Sequence, residues 1–288
     1  MSHSNRLARL GIGTVQFGQA YGISNTSGQV PPDDVATILR RAAESGIKTL
    51  DTAAGYGNAE AVLGAFAALT QPFRVVTKTI ALKNGLDAVI ARARQSVETL
   101  QREPVDLLLV HSATDLEGPG GDALWQALLD LKAEGLFRGV GISAYVADDP
   151  AALAHRFKPD AMQIPLSLLD QRLVRSGALA AIKAQGVEIH ARSLFLQGLL
   201  FLNELPPRLQ AAAPHLAALR RRIADAASTP LAAALAFALA QQIDVGVVGV
   251  TTPSELDEIL AVAALPSPQL DWDACALDDE TVLTPSRW

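Results

Sequence analysis

Eight short apolar runs, each followed by a stretch of helical periodicity, constrain this chain more than any other feature. The runs are LARLGIG (7–13), IKTLD (47–51), FRVVTK (73–78), VDLLLVH (105–111), RGVGIS (138–143), DAMQIP (160–165), VEIHAR (187–192) and VGVVGV (245–250). They are nearly continuous in apolar character rather than alternating, as strands buried on both faces of a parallel sheet should be. Between them lie helical patterns such as PDDVATILRRAAESG, GLDAVIARARQSVETLQ and GDALWQALLDLKAEG. Several close on the glycine expected just past a helix, at Gly46, Gly135 and Gly186. Strand and helix repeated eight times predict an α/β fold, a closed (β/α)8 TIM barrel. An open doubly wound sheet is the runner-up. The first run, however, continues into GIGTVQFG, which has neither the third glycine nor the immediate helix of a dinucleotide-binding turn.

No low-complexity linker divides the 288 residues. A single domain over 1–288 is therefore expected, with 265–288 as a C-terminal tail that can cap the barrel, border a site or mediate oligomers. The formal charge of -6, from 24 Lys plus Arg against 30 Asp plus Glu, comes with no basic run to track a phosphate backbone, so nucleic acid is not an expected partner. The most apolar run, PLAAALAFALA (230–240), is far shorter than the ~20 residues of a bilayer span and reads as a buried helix. Cys275, the only cysteine, permits no intrachain disulfide. The start, MSHSNRLARLGIG, lacks a secretory pattern, and a cytoplasmic location is expected.

In a barrel of this kind chemistry sits at the C-terminal ends of the strands. Asp51 ends the second run, Lys78 the third and His111 the fourth, while Tyr56 stands between two glycines on the loop LDTAAGYGNAE. Singly, each has a bland reading: a loop aspartate, a surface aromatic, a solvated lysine, a core histidine. Together they do not, because a lysine and an aspartate ending apolar strands must find partners. Such a group suits proton donation from Tyr56, with a Lys78 ammonium stabilising the phenolate, Asp51 holding Lys78, and His111 orienting a substrate oxygen or sharing the proton transfer. The pattern fits a carbonyl that receives a hydride while its oxygen is protonated, with no metal. A lyase or isomerase with a Schiff base on Lys78 is a rival, and it needs a desolvated lysine without the counter-ion that Asp51 provides.

GTVQFG, LDTAAGYGNAEAVLG, VVTK, DLLLVHS, GVGIS and Gln163 in AMQIPLS together resemble the aldo-keto reductase family from Leu10 to about Ala264. The resemblance implies that Asp51, Tyr56, Lys78 and His111 form a catalytic tetrad. It further implies a nicotinamide cofactor across the barrel mouth, its carboxamide held by Ser143 and Gln163. The remaining cofactor contacts it implies are Gly13, Thr14, Arg192, Gly249, Thr251, Thr252, Ser254 and Glu255.

Several positions depart from the family's pattern. Ala144 replaces a common asparagine, and Arg192 replaces a stacking aromatic. A guanidinium can stack as well, and it brings positive charge to the cofactor pyrophosphate or to an anionic substrate; the bland alternative is pairing with a nearby carboxylate. Glu188, His190 and Arg192 share one strand face, so mutual pairing, or bonds to other interior polar groups, is expected for all three.

Glu255 stands where a basic residue usually binds the 2'-phosphate of NADP(H), and Ile259 where an adenine-binding asparagine is usual. A phosphate beside Glu255, Asp257 and Glu258 would be repelled, which tilts the expectation toward NAD(H) over NADP(H) unless Arg208 or Arg220 to Arg222 reach across. Thr252, Pro253 and Glu255 also fit an N-cap, first-turn proline and capping-box glutamate, with Thr251 and Ser254 beside a helix N-terminus suited to phosphate.

The expected activity is interconversion of a small carbonyl or sugar and its alcohol. Few aromatics occur in the loops 21–28, 113–121 and 196–215, which leans toward a polar, sugar-like substrate. The altered positions also motivate an alternative, an NAD(H)-binding regulatory protein with little turnover. The oligomeric state stays open.

Overall fold

The computed structural model of the chain describes residues 6–285 and 288. Residues 1–5 of the expected domain and 286–287 of the expected tail lie outside the described residues. Eight parallel strands form a closed barrel in sequential order: β1 (Leu10–Gly13), β2 (Thr49–Asp51), β3 (Arg74–Lys78), β4 (Val105–Val110), β5 (Phe137–Ser143), β6 (Ala161–Pro165), β7 (Glu188–Arg192) and β8 (Val245–Gly249). β8 closes on β1 with Gly13 beside Gly249. Every predicted strand is present. The main difference is at the start, where residues 7–9 of LARLGIG form a helical turn and the strand begins at Leu10.

Around the barrel lie α1 (Pro32–Glu44), α2 (Ala59–Ala65), α3 (Leu86–Thr99), α4 (Gly121–Ala133), α5 (Pro150–Phe157), α6 (Ala178–Ala184), α7 (Ala213–Asp225), α8 (Pro230–Ala240) and α9 (Pro253–Ala263). The segment between β7 and β8 thus holds one helix more than the minimal repeat. Helix boundaries follow local chemistry. Thr229 caps α8 by accepting from the Ala232 N–H at 3.2 Å, with Pro230 at the first position, where its missing N–H costs nothing. Gly46, Gly135 and Gly186 all adopt positive φ just past their helices. The all-apolar α8 is almost wholly buried, and among the described residues no single helix is long and apolar enough to cross a membrane.

The strands are apolar on both faces because each face packs against protein. Outward residues such as Val75, Leu108, Val140 and Ile189 join the large core between sheet and helices. Inward residues Val76, Leu107, Leu109 and Ala161 form a separate cluster inside the barrel. Glycines make room for it: a Cβ at Gly141 would lie 2.6 Å from Leu109 Cδ2, and one at Gly139 would lie 2.7 Å from Leu107 Cδ2. The alternate glycines of RGVGIS are therefore the inward positions of β5, and the interior is packed to the point where small-to-large exchange is not tolerated.

The polar face of β7 also points inward and runs the length of the barrel. At its N-terminal end Glu188 accepts a bidentate pair of bonds from Arg74, at 2.7 and 3.0 Å, and its Oε1 lies 2.9 Å from His190 Nε2. Burial alone would raise the Glu188 pKa, but the His190 and Arg74 bonds outweigh it and bring it down to about 2. Arg192 stands apart from this pair, at the other end of the strand. His190 Nδ1 has no partner, so the expectation of full pairing holds for Glu188 and only half for His190.

The tail packs on the barrel flank: the Trp272 ring lies 5.8 Å from that of Phe237, and the Trp272 and Ala274 carbonyls accept from Gln171 and Arg222. Among the described residues, none of the tail lines the cleft at the barrel mouth.

Candidate active site

At the C-terminal ends of β2 and β3, the backbone ladder places Asp51 beside Val76, and Ala54 N–H donates to the Lys78 carbonyl at 3.2 Å, so the β2 loop leaves directly over Lys78. Thr14 fixes the start of that loop, its N–H and hydroxyl both donating to the Asp51 carbonyl at 2.9 and 3.1 Å. The two glycines flanking Tyr56 differ in how tightly they are held. Gly57 has φ +56, and a Cβ there would sit 2.3 Å from the Gly18 carbonyl; in turn a Cβ at Gly18 would sit 1.9 Å from the Tyr56 carbonyl. These loops therefore lie backbone against backbone. On the other side, Gly55 faces the His111 ring, where a Cβ would make only an ordinary contact, 3.8 Å from Cε1.

Lys78 is 1% exposed, and its ammonium donates to both Asp51 oxygens at 2.9 and 2.8 Å, to the Thr52 carbonyl at 2.9 Å and to the Tyr56 hydroxyl oxygen at 3.3 Å. Burial works against this charge, yet Asp51 outweighs it and the Lys78 pKa ends above the ordinary lysine value. The Schiff-base reading accordingly lacks a reachable amine: Lys78 is behind Asp51 and Tyr56, not on the cleft wall. His111 meets the Tyr56 ring edge to face, with centroids 5.7 Å apart. Burial first, and then the Lys78 charge, push its pKa down to about 4, so the imidazole is neutral at neutral pH. The structure thus brings Asp51, Tyr56, Lys78 and His111 into one contiguous group.

A cleft of about 750 Å³ opens over this group, within the size range of small-molecule and cofactor sites. It extends from Asp51, Tyr56, His111, Ser143 and Gln163 to Thr251, Glu255, Glu258 and Ile259 on and before α9. Gly13, Gly249 and Arg192 also line it. Thr14, Thr252 and Ser254 do not. Thr14 is buried in the loop contact just described. Thr252 caps α9, accepting from Glu255 N–H at 3.2 Å, while the Glu255 carboxylate accepts from Thr251 N–H at 2.6 Å. The capping reading of this segment is therefore realised, with the glutamate reaching one residue beyond the cap.

Gln163 lines the cleft, and its Nε2 donates across the mouth to Asp51 Oδ1 at 2.6 Å, so part of its hydrogen-bonding capacity is committed. Arg192 pairs with no carboxylate among the described residues. Arg208 and Arg220 to Arg222 stay off the cleft wall.

Sequence reasoning missed three contributors. Gln16 lines the cleft beside Gly249, and its Oε1 is a buried acceptor with no partner on the protein. Tyr21 and Tyr145 also line it, so all three tyrosines of the chain meet at this mouth, and that scarcity was the available signal. The loop after β7 carries positive φ at Ser193, Leu196, Gln197 and Gly198, and Gln197 Nε2 donates to Tyr21 Oη at 2.9 Å, joining two loops over the cleft. Phe195 and Phe201 add an aromatic rim, so the aromatic-poor loops nonetheless place their few rings at the opening.

A family model described as Aldo/keto reductase family matches residues 9–277. Among curated proteins, an aldo-keto reductase of Mycolicibacterium smegmatis is 33% identical over 159 residues, 51% of this chain and 54% of that protein. A glyoxal reductase of Bacillus subtilis is 27% identical over 181 residues, 60% of this chain and 62% of that protein. The chain thus spans between about half and three-fifths of these relatives' lengths. Among solved structures, an aldo-keto reductase from Bacillus halodurans in its holo form superposes with a TM-score of 0.71 at 21% identity, covering 90% of this chain and 87% of the other, a likeness of fold.

Proposed function

The chain belongs to the aldo/keto reductase family, and on that premise we propose that it reduces a small carbonyl compound, or oxidises the matching alcohol, with a nicotinamide cofactor and with Tyr56 as the proton donor. One observation carries this reading. Lys78 donates to the Tyr56 oxygen, and an ammonium accepts nothing in return, so the hydroxyl's own proton is free to be donated into the cleft.

The residues present fit the cofactor. Gly13 and Gly249 line one wall, and Gln16 Oε1 beside Gly249 is an acceptor in want of a donor such as a ribose hydroxyl. Ser143 and the uncommitted side of Gln163 would hold the carboxamide, and the Thr251 side chain with Glu255, Glu258 and Ile259 would meet the far end. When bound, the nicotinamide supplies or takes the hydride. Tyr56 gives its proton to the substrate oxygen, Lys78 stabilises the phenolate left behind, and Asp51 keeps Lys78 charged and in place. Neutral His111, edge-on to Tyr56, holds the same oxygen by hydrogen bonding.

The cofactor reading favours NAD(H). Among the described residues Glu258 lines the far end of the cleft without a protein partner, Glu255 stands beside it, and no lysine or arginine lines that end, the nearby Arg41 being paired with Asp257 off the cleft wall, so a 2'-phosphate would meet carboxylates. Initial rates of NADH and NADPH oxidation with a panel of small aldehydes and dicarbonyls, glyoxal among them because of the Bacillus subtilis relative, test the proposal. Turnover with NADH is expected, and absence of turnover with every carbonyl would remove it.

A further inference from the structure

Arg192 is the one lysine or arginine among the described residues that line the cleft, and no carboxylate discharges it. Its guanidinium donates to the Ala144 carbonyl at 3.3 Å and to Ser193 Oγ at 3.4 Å, and lies over the Tyr145 ring at 4.2 Å from the centroid. Two long bonds to neutral acceptors and a ring face hold the group in position. They leave most of its five N–H donors uncommitted.

Its placement is specific. Arg192 closes β7, next to the strand whose Gln163 reaches across the mouth to Asp51. It is near enough to the tetrad for its charge to be one of those that keep His111 neutral. The acidic end of the cleft, at Glu255 and Glu258, belongs to α9. The cleft is therefore polarised, with the cation on the wall at the end of β7, where its charge is felt by His111, and the carboxylates on α9.

We infer that Arg192 is an anion subsite for the substrate, and that the carbonyl compound taken by this cleft is an oxo acid, carrying a carboxylate near its carbonyl, rather than a neutral aldehyde or sugar. The inference rests on the reductase reading of Tyr56. One guanidinium matches one carboxylate in charge and in its forked geometry. A phosphate monoester would bring close to two charges with no second free cation on the cleft wall to meet them.

Two oxo acids of different length, glyoxylate and 4-oxobutanoate, each compared with its methyl ester, test this in the full chain. Calorimetric binding to the protein saturated with NAD+ is measured alongside kcat/KM with NADH, for the wild type, Arg192→Gln and Arg192→Lys. At least one acid is expected to be preferred over its ester by about tenfold or more, the weight of a charge-assisted hydrogen bond. Arg192→Gln brings that ratio close to one, mainly through KM, and Arg192→Lys recovers part of it. A wild-type ratio near one for both pairs overturns the inference, as does a ratio unchanged in Arg192→Gln. Loss of NADH affinity in Arg192→Gln with the ratio intact overturns it too, assigning the guanidinium to the cofactor phosphates. Because binding is read without turnover, failure of every carbonyl to turn over counts against the reductase reading, while the binding ratio still decides on the subsite.

Discussion

Lys78 reaches the Tyr56 hydroxyl from beneath, at 3.3 Å, while both oxygens of Asp51 hold the same ammonium at 2.8 and 2.9 Å. The contact gives the proton a direction. A lysine can only donate, so Tyr56 must point its own hydrogen elsewhere, and on the proposed reading the charge left on its oxygen would fall beside an ammonium already in place.

Replacing Lys78 with Met removes that ammonium and strands Asp51, which is 4% exposed. Turnover is expected to fall by about 10²-fold or more. Chemical denaturation should show a loss of roughly 3–5 kcal/mol, the cost of an uncompensated buried charge. The double variant Asp51→Asn with Lys78→Met should regain stability but not activity.

The same pair predicts an alkaline limit. The Lys78 pKa is raised in the folded state, so its stabilisation is present in full below the unfolded value, ordinarily 10.5, and is lost as pH rises through the higher folded value. Denaturation midpoints of the wild type should decline above that point relative to those of the double variant. Parallel curves would refute the linkage.

His111 sets the acid side. Its pKa is lowered to about 4 by burial and by Lys78, against 6.5 unfolded. The unfolded chain therefore binds a proton before the folded one does. The associated stability, up to roughly 3 kcal/mol, is present above pH 6.5 and drains away between there and about 4. His111→Gln should flatten that part of the pH–stability curve. NMR titration should find the ring neutral at pH 6; a ring that titrates near 6.5 would contradict the site's electrostatics.

Fluorescence titration should show NADH binding tighter than NADPH by about tenfold, a modest charge–charge effect at a partly open site. Glu258→Lys should narrow or reverse that ratio. Equal affinities in the wild type would remove the carboxylates from cofactor choice.

The barrel was legible because each strand is buried twice, against helices outside and against the inner cluster within, and that leaves continuous apolar runs in the sequence. Asp51, Lys78 and His111 were legible because they end those runs, where burial makes an ionisable side chain costly unless it has a partner, and Tyr56 because it follows Asp51 on the same loop. What stayed hidden depends on loops crossing over one another. Tyr21 and Tyr145 reach the mouth only because the loops after β1 and β5 bend inward. Thr14 turns into the Asp51 carbonyl rather than the cleft, and Gln163 spends a donor on Asp51. No periodicity encodes such contacts. The inward glycines of β5 follow from close approach on both sides, by Leu107 and Leu109 on β4 and by the Ala161 carbonyl on β6, a complementarity that becomes readable only once strand register is known.

The most direct test is single-turnover oxidation of bound NADH by Tyr56→Phe, using the carbonyl that the wild type reduces fastest. Phenylalanine keeps the ring against His111 and removes only the hydroxyl, so cofactor binding is expected to stay close to wild type. The oxidation rate should fall by about 10²–10⁴-fold, the scale of a lost general acid. A rate within about threefold of wild type, with NADH bound normally, would contradict the assignment of Tyr56 as proton donor, because a general acid carries at least tens-fold more than that.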